Sequence, residues 1–186
     1  MIELVKKNDA VISAEEQEYG NFLRCQERFA AGEVIVYGRS DLLLIDLDSE
    51  EETREFSRRM VIFEEIYGEL QKFKTRSPSE RGWHIYIKIP GSIPPQTIPQ
   101  RIAMQALLGS DIKRDLLSLK FQIDQHGDVN DKEDFYTNPI FLFEKDPTGY
   151  PEWVISKESI QKQRVQQVVI LAKKYGVKVD ITGTID

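Results

Sequence analysis

Cysteine and histidine are scarce in this sequence, and each shortage excludes a class of site. Among 186 residues there are one cysteine, Cys25, and two histidines. A single cysteine cannot close an internal disulfide, so we expect a reducing compartment, either the cytoplasm or the interior of a host cell. The sequence also lacks the sets of Cys and His ligands that zinc and iron–sulfur modules require.

Long apolar runs and phosphate-binding loops are missing as well. No stretch approaches the roughly 18 apolar residues of a membrane-spanning helix, and charges are spread over residues 1–10. We therefore expect no transmembrane span, no secretory signal and no membrane partner. The pattern Gly-x-x-x-x-Gly-Lys-Ser/Thr does not occur, so a helicase segment is excluded and any unwinding would need a partner protein.

The charge of the chain is moderately acidic. The net charge is −6 at pH 7, which disfavours a protein that coats nucleic acid by bulk electrostatics. Basic residues nevertheless gather in two places, over residues 72–81 and 113–120. The charge distribution is therefore compatible with an acidic protein that carries a basic groove.

Helical and strand patterns alternate along the chain and predict a single α+β domain over residues 1–186. The predicted helices cover residues 13–31, 50–71, 99–108, 112–121 and 157–175, and the predicted strands cover residues 34–37, 41–47, 73–75, 83–89, 140–143 and 177–181. The turn Gly38-Arg39-Ser40 predicts that the first two strands pair as a hairpin. Ser49 is the predicted N-terminal cap of the helix over residues 50–71.

The strand over residues 41–47 carries the most informative pattern. Four apolar residues, Leu42 to Ile45, are followed by Asp46 and Asp48, one residue apart. Residues i and i+2 of a strand point to the same face, so the two carboxylates lie side by side. Like charges this close are costly unless a proton or a metal neutralises them, and oxygen ligands suit Mg²⁺ or Mn²⁺. A turn or a helix cap is the alternative interpretation of the same pair.

A second polar segment, Ser-Glu-Arg-Gly-Trp-His, precedes the strand over residues 83–89. Its chemistry suits an anion, because Arg81 can bind a phosphate with two N–H groups and Gly82 lets the backbone approach closely. Ser79 and His84 supply further donors. The alternative interpretation is a simple turn followed by a structural histidine.

The order of these two segments resembles the archaeo-eukaryotic primase superfamily. Its first motif, an apolar strand ending in Asp-x-Asp, is matched by residues 42–48, and its second, a small residue, any residue and His, by Gly82-Trp83-His84. Residues 79–87 also fit the longer pattern of viral primase-polymerases and of the polymerase domain of bacterial end-joining ligases. The resemblance covers about residues 34–145, flanked by the first and last helices, and implies an RRM-like antiparallel or mixed sheet. It implies a minimal catalytic core, either viral or plasmid-borne or part of a larger replication protein.

The resemblance calls for a third acid, and two residues compete for that place. Glu144 closes the apolar strand 140–143, although the family usually has Asp at this point. Asp111 opens an Asp-x-x-Arg pattern that resembles small primase subunits, but it can equally cap the helix that follows. We favour Glu144. If neither residue serves, a non-catalytic relative becomes the better interpretation.

The resemblance also implies a mechanism and a set of partners. Asp46, Asp48 and the third acid would hold two divalent ions, Mg²⁺ or Mn²⁺, about 4 Å apart, which activate a 3′-hydroxyl and stabilise the leaving pyrophosphate. The substrates would be nucleoside triphosphates and a single-stranded DNA template or primer, and the partners a helicase or another replication protein. The residues implied to bind the triphosphate are Ser79, Arg81, Gly82 and His84, and those that could contact the template are Arg101, Lys113, Arg114 and Lys120.

Rival functions fit parts of the same pattern. A catalytically inactive RRM-like domain would bind nucleic acid or a replication partner without metal. A phosphatase of the haloacid dehalogenase type also begins with an apolar strand and Asp-x-Asp, but the glutamates at 50–52 would repel its phosphate substrate. A rolling-circle nuclease needs paired histidines, whereas His126 stands alone in an acidic segment.

Overall fold

Helices and strands alternate along the described chain, which covers residues 24–126 and 140–176 of the computed structural model. Helix α1 denotes residues 24–30, and the following elements are β1 (Val34–Tyr37), β2 (Leu42–Leu47), α2 (Glu50–Tyr67), β3 (Gln71–Arg76), β4 (Trp83–Lys88), α3 (Ile98–Leu107), α4 (Ile112–His126), β5 (Phe141–Glu144) and α5 (Lys157–Lys174). The predicted helix over 13–23 and the predicted strand over 177–181 lie outside the described residues. No helix among the described residues is long and apolar enough to cross a membrane.

The strands form two antiparallel sheets, which confirms the predicted α+β class. The larger sheet has the order β2-β4-β3, and the smaller one pairs β1 with β5. The predicted hairpin between the first two strands is wrong, because β1 and β2 belong to different sheets. Only a single bridge, between Arg39 and Leu42, joins the chain across that turn.

The α3–α4 region closes the outer edge of β2 and takes the place of a neighbouring strand there. The backbone N–H of Leu44 donates to Oε1 of Gln105 at 3.0 Å. Two residues on, the N–H of Asp46 donates to Oγ of Ser110 at 3.1 Å, and its carbonyl accepts from the N–H of Asp111 at 3.0 Å. Since these contacts satisfy the backbone groups of the edge, β1 is left to pair with β5 instead.

Strand β2 is buried on both faces, which explains its continuous apolar run. Leu43, Ile45 and Leu47 pack against α2 in one core cluster. Leu42 and Leu44 point the other way and pack in a second cluster with residues of β1, β5 and α3. Each buried side chain of this size contributes roughly 1.5–3 kcal/mol, so β2 is held firmly between two layers.

A capping box fixes the point where β2 passes into α2. Ser49 accepts a hydrogen bond from the N–H of Glu52, and the Glu52 carboxylate accepts from the N–H of Ser49. The same carboxylate accepts from the N–H of Asp48 at 2.6 Å. The predicted Ser49 cap is therefore confirmed, and the backbone around Asp48 is anchored on both sides.

Candidate active site

Two strand positions bring the separate motifs together. Asp46 stands directly opposite His84 in the register of β2 and β4. Nε2 of His84 lies 3.5 Å from Oδ1 of Asp46. Asp46 keeps 18% of its side-chain surface exposed, whereas Asp48, one residue beyond the strand, is exposed. The acid pair therefore stands at the rim of the sheet with an imidazole beside it.

Burial and neighbouring charges act against each other on Asp46. Burial raises the pKa of its carboxyl above the ordinary value, while the positive charge of Arg114 and the adjacent His84 lower it. The negative charges of Asp48 and Asp111 raise the pKa further. Because burial and the nearby negative charges disfavour the ionised carboxylate, an added cation beside it would stabilise it.

The carboxylates at this rim have the donor chemistry of a magnesium or manganese site. Asp46, Asp48 and Asp111 supply hard oxygen ligands, and the last two are near enough to change the ionisation of the first. Among the described residues, no three acidic, His or Cys side chains already converge on one point. These residues thus supply the ligand atoms that a divalent ion prefers, although they are not arranged around one point.

Glu144 lies behind His84, on the side of the imidazole away from Asp46. Its Oε1 is 2.6 Å from Nδ1 of His84 and accepts a hydrogen bond from the hydroxyl of Tyr86. Its Oε2 accepts from the hydroxyl of Tyr150 at 2.7 Å. Glu144 is 2% exposed. Both carboxylate oxygens of Glu144 therefore already accept hydrogen bonds from protein donors.

The two tyrosines are held in the neutral, donating form. Burial raises the pKa of Tyr86 well above its ordinary value, and the negative charge of Glu144 raises it further. Burial also raises the pKa of Tyr150, and Glu144 acts in the same direction. Because both hydroxyls keep their protons, they remain available to Glu144 as donors.

Asp111 caps α4 and lies beside Asp46. Its Oδ1 accepts from the N–H of Lys113 at 2.9 Å, as a helix cap does at the start of α4. Its backbone N–H binds the carbonyl of Asp46 at 3.0 Å. The cap is therefore confirmed, and it places Asp111 next to the acid pair.

Arg114 points inward rather than toward solvent. Its Nη2 donates to the carbonyl of Leu44 at 2.8 Å and lies 3.0 Å from Oδ1 of Asp115, and its Nη1 is 3.8 Å from Oδ2 of Asp46. Burial raises the pKa of Asp115, against the lowering effect of Arg114. Arg101 is fully buried. Neither arginine therefore lies on an outer surface, as a template contact would require.

The loop over residues 77–82 is organised around Ser77, which the sequence did not single out. Oγ of Ser77 accepts from the N–H of Gly82 at 3.2 Å and lies 3.0 Å from Oγ of Ser79. Arg81 and Ser79 are exposed. A Cβ on Gly82 would stand 2.1 Å from the carbonyl oxygen of Leu47. Gly82 is thus packed against the end of β2, beside the backbone of Asp48.

Several participants in this site carry no clear sequence signal. Tyr86 and Tyr150 come from β4 and from the segment after β5, and only the fold brings them to Glu144. Arg114 belongs to the Asp-x-x-Arg pattern, but its inward direction depends on how α4 packs beside β2. The sequence finds the charged residues at strand ends and misses the hydroxyls that surround them.

Comparison with protein-family models gives no match for this chain, and comparisons with curated proteins and with solved structures give none either.

Removing the Glu144 carboxylate is expected to destabilise the protein. Glu144→Ala would leave the buried donors of His84, Tyr86 and Tyr150 without an acceptor, at a cost of about 3 kcal/mol or more. Tyr150→Phe removes one hydroxyl and should cost about 2 kcal/mol or less. Urea unfolding of both variants beside the wild type measures the difference. Equal midpoints for Glu144→Ala and the wild type would contradict this account of the cluster.

Proposed function

We propose that this chain is a metal-dependent nucleotidyltransferase of the primase-polymerase type, which adds nucleotides to a 3′ end or starts a primer on a single-stranded template. The observation that carries the proposal is the 3.5 Å approach between Oδ1 of Asp46 and Nε2 of His84. Asp46 and His84 are 38 positions apart in the sequence and belong to different motifs. Their meeting at one sheet end supports a single site that joins carboxylates to phosphate-binding donors.

The sheet topology gives partial support to the same proposal. The order β2-α2-β3-β4, with β4 lying between β2 and β3, is a split β-α-β arrangement of the ferredoxin-like kind. RRM-like sheets extend this unit by one more strand. Here β5 pairs with β1 instead, so the RRM-like assignment belongs to the proposal and rests on three strands.

The carboxylates would act as the metal-binding group of the site. Asp46 and Asp48 would bind divalent metal, with Asp111 as the third acid. When bound, the ions supply activation of the 3′-hydroxyl and charge neutralisation on the leaving pyrophosphate. The carboxylates at the rim leave room for a triphosphate on the solvent side, because Asp48 is exposed.

The donors of β4 and its preceding loop would bind the triphosphate. His84 offers Nε2 on the Asp46 side, while Arg81 and Ser79 are exposed on the adjoining loop. Gly82 keeps the loop close to the end of β2. Charge-assisted hydrogen bonds of this kind are about twice as strong as neutral ones, so phosphate oxygens would be fixed opposite the acids.

Glu144 would act as a positioning residue in this reaction. Its 2.6 Å contact with Nδ1 fixes the plane of the His84 ring. The opposite nitrogen is then directed toward Asp46 and the phosphate. A carboxylate behind an imidazole orients the ring in this way in many catalytic and metal sites.

Nucleotide incorporation by the wild type tests the proposal directly. We expect labelled dNTPs or NTPs to be added to a primed single-stranded template with Mg²⁺ or Mn²⁺. Chelation should abolish incorporation, and excess metal should restore it. A folded, metal-replete protein that adds nothing to primed or unprimed template would overturn the proposal.

A non-catalytic nucleic-acid-binding module is the second candidate. It is favoured by the neighbours of Asp46, since Arg114 and His84 lower the pKa of its carboxyl without any metal, although burial raises that pKa by more. Such a module would bind single strands equally well after chelation and would incorporate no nucleotide. Hydrolysis of a simple phosphate monoester without nucleic acid would instead support a phosphatase.

A further inference from the structure

The outer edge of the larger sheet carries a row of cations. Strand β3 is the last strand of the order β2-β4-β3, and its residues Lys72, Lys74 and Arg76 are exposed. Alternate residues of a strand share a face, so all three lie on one side. Nζ of Lys72 is 2.6 Å from a carboxylate oxygen of Glu64. Lys74 and Arg76 have no carboxylate partner among the described residues.

An indole lies under these two cations. Trp83 stands opposite Arg76 in the register of β3 and β4 and therefore shares its face. Nζ of Lys74 is 4.0 Å from the centroid of the indole, and Cζ of Arg76 is 3.8 Å from it. Trp83 is partly exposed. Proteins that bind single-stranded nucleic acid combine aromatic rings with cations, because bases stack on the rings and phosphates pair with the charges.

The row of cations leads toward the acid pair. Arg76, Trp83 and Leu47 lie side by side at the same end of the sheet, and Asp48 follows Leu47. Neighbouring strands are about 4.8 Å apart, so the Arg76 backbone lies two strand spacings from that of Leu47. The loop that carries exposed Arg81 connects β3 to β4 at this end. Leu47, Trp83 and Arg76 point to the face of the sheet that packs against α2, whereas Asp46 and His84 point to the opposite face. A strand held on β3 would therefore reach the carboxylates by passing around this end of the sheet.

We propose that Lys74, Arg76 and Trp83 form a binding strip for single-stranded nucleic acid. The inference rests on the proposed function, because the strip would hold the template or primer strand of that reaction. The two cations, which lie over the indole and have no carboxylate partner among the described residues, match the phosphates, and an unpaired base would stack on the indole by displacing one of them. Lysines on an edge strand also prevent association of sheets, and that simpler role predicts no effect of the strip on nucleic-acid binding.

Indole fluorescence reports binding at the strip. The chain has two tryptophans, so Trp153→Phe leaves Trp83 as the single reporter. A dT20 oligonucleotide, added without metal or nucleotide, is expected to quench Trp83. Anisotropy of labelled dT20 with the chain that retains Trp153 gives an independent affinity, should the reporter variant fold poorly.

Charge removal identifies the contacts. Lys74→Gln with Arg76→Gln is expected to weaken dT20 binding tenfold or more and to lower the slope of log K against log[salt] by about 1.4, for two lost phosphate contacts. The matched control is Lys157→Gln with Lys162→Gln, two exposed lysines of α5, which should change affinity less than twofold. Equal weakening by both pairs, an unquenched Trp83 or equal affinity for a duplex of the same length would overturn the strip.

The test of the binding strip and the test of the proposed function can fail independently of each other. Binding is measured without metal, and it should persist when Asp46 and Asp48 are replaced by asparagine. Binding at the strip without any nucleotide incorporation would overturn only the enzyme. Incorporation that the Lys74 and Arg76 substitutions leave unchanged, together with unchanged dT20 affinity, would overturn only the strip.

Discussion

Replacing Asp46 and Asp48 with asparagine is expected to lower nucleotide incorporation by about a thousandfold or more, because the amides cannot hold a divalent ion. Asparagine keeps the size of each side chain, so the sheet should remain intact. Incorporation on a primed template, measured beside the wild type at saturating Mn²⁺, gives the ratio. Activity within tenfold of the wild type would exclude these carboxylates as the metal-binding group.

The stability of the single variant Asp46→Asn separates loss of chemistry from loss of fold. The pKa of Asp46 is raised in the folded protein, chiefly by burial. A raised pKa means that the protonated form is favoured on folding. The stability that the protonated carboxyl contributes is fully present below the pKa of Asp46 in the unfolded chain. It is lost as the pH rises through the pKa of Asp46 in the folded protein. The ionised Asp46 side chain therefore destabilises the native state at pH 7, and a neutral amide in its place removes that destabilisation.

Urea unfolding in the absence of metal is expected to show this directly. Asp46→Asn should raise the urea midpoint at pH 7, which corresponds to a gain of roughly 1 kcal/mol in the free energy of unfolding. Gains of this size are common when a destabilising functional residue is replaced. The gain should shrink as the pH falls and the wild-type carboxyl takes up its proton. Asp48→Asn is the control, because Asp48 is exposed. A loss of stability in Asp46→Asn at pH 7 would show that its contacts with Arg114 and His84 outweigh burial.

Gly82→Ala is expected to cause a large loss of stability. The added Cβ would stand 2.1 Å from the carbonyl oxygen of Leu47 and 3.0 Å from Cα of Asp48. Both atoms belong to backbone, so no rotamer change can relieve the clash. Strand β4 would have to move away from the end of β2, at a cost of about 3 kcal/mol or more.

A glycine in open surroundings provides the matched control for that substitution. Gly91→Ala introduces the same methyl group, and nothing lies within 4 Å of its Cβ. Its midpoint in urea should stay within about 0.5 kcal/mol of the wild type. Similar losses in the free energy of unfolding for the two variants would mean that the loop at Gly82 moves aside without disturbing β2.

The sequence predicted the features of this fold that depend on neighbours along the chain. The run Leu42 to Ile45 is buried as a strand because four apolar residues need cover on both faces. Ser49 caps α2 because its hydroxyl and the Glu52 carboxylate lie three residues apart. Both patterns are local, so periodicity and spacing were enough to find them.

The features that the sequence could not predict depend on distant partners. The hairpin of β1 and β2 was expected from a turn, but the edge of β2 is satisfied by Gln105, Ser110 and Asp111. The surroundings of Glu144 likewise come from β4 and from Tyr150. Such contacts are decided by competition among all possible partners for each donor and acceptor, and no local pattern records that competition.

The cluster around Glu144 has a consequence for local unfolding. Glu144 belongs to the two-stranded sheet, whereas His84 and Tyr86 belong to the three-stranded one. Any fluctuation that opens the smaller sheet therefore separates the imidazole from its anchor. The free energy of that opening and the fraction of molecules with a correctly oriented His84 are linked quantities. A ligand that binds only the oriented ring would slow amide exchange in β1 and β5, far from the ligand itself, by favouring the closed state.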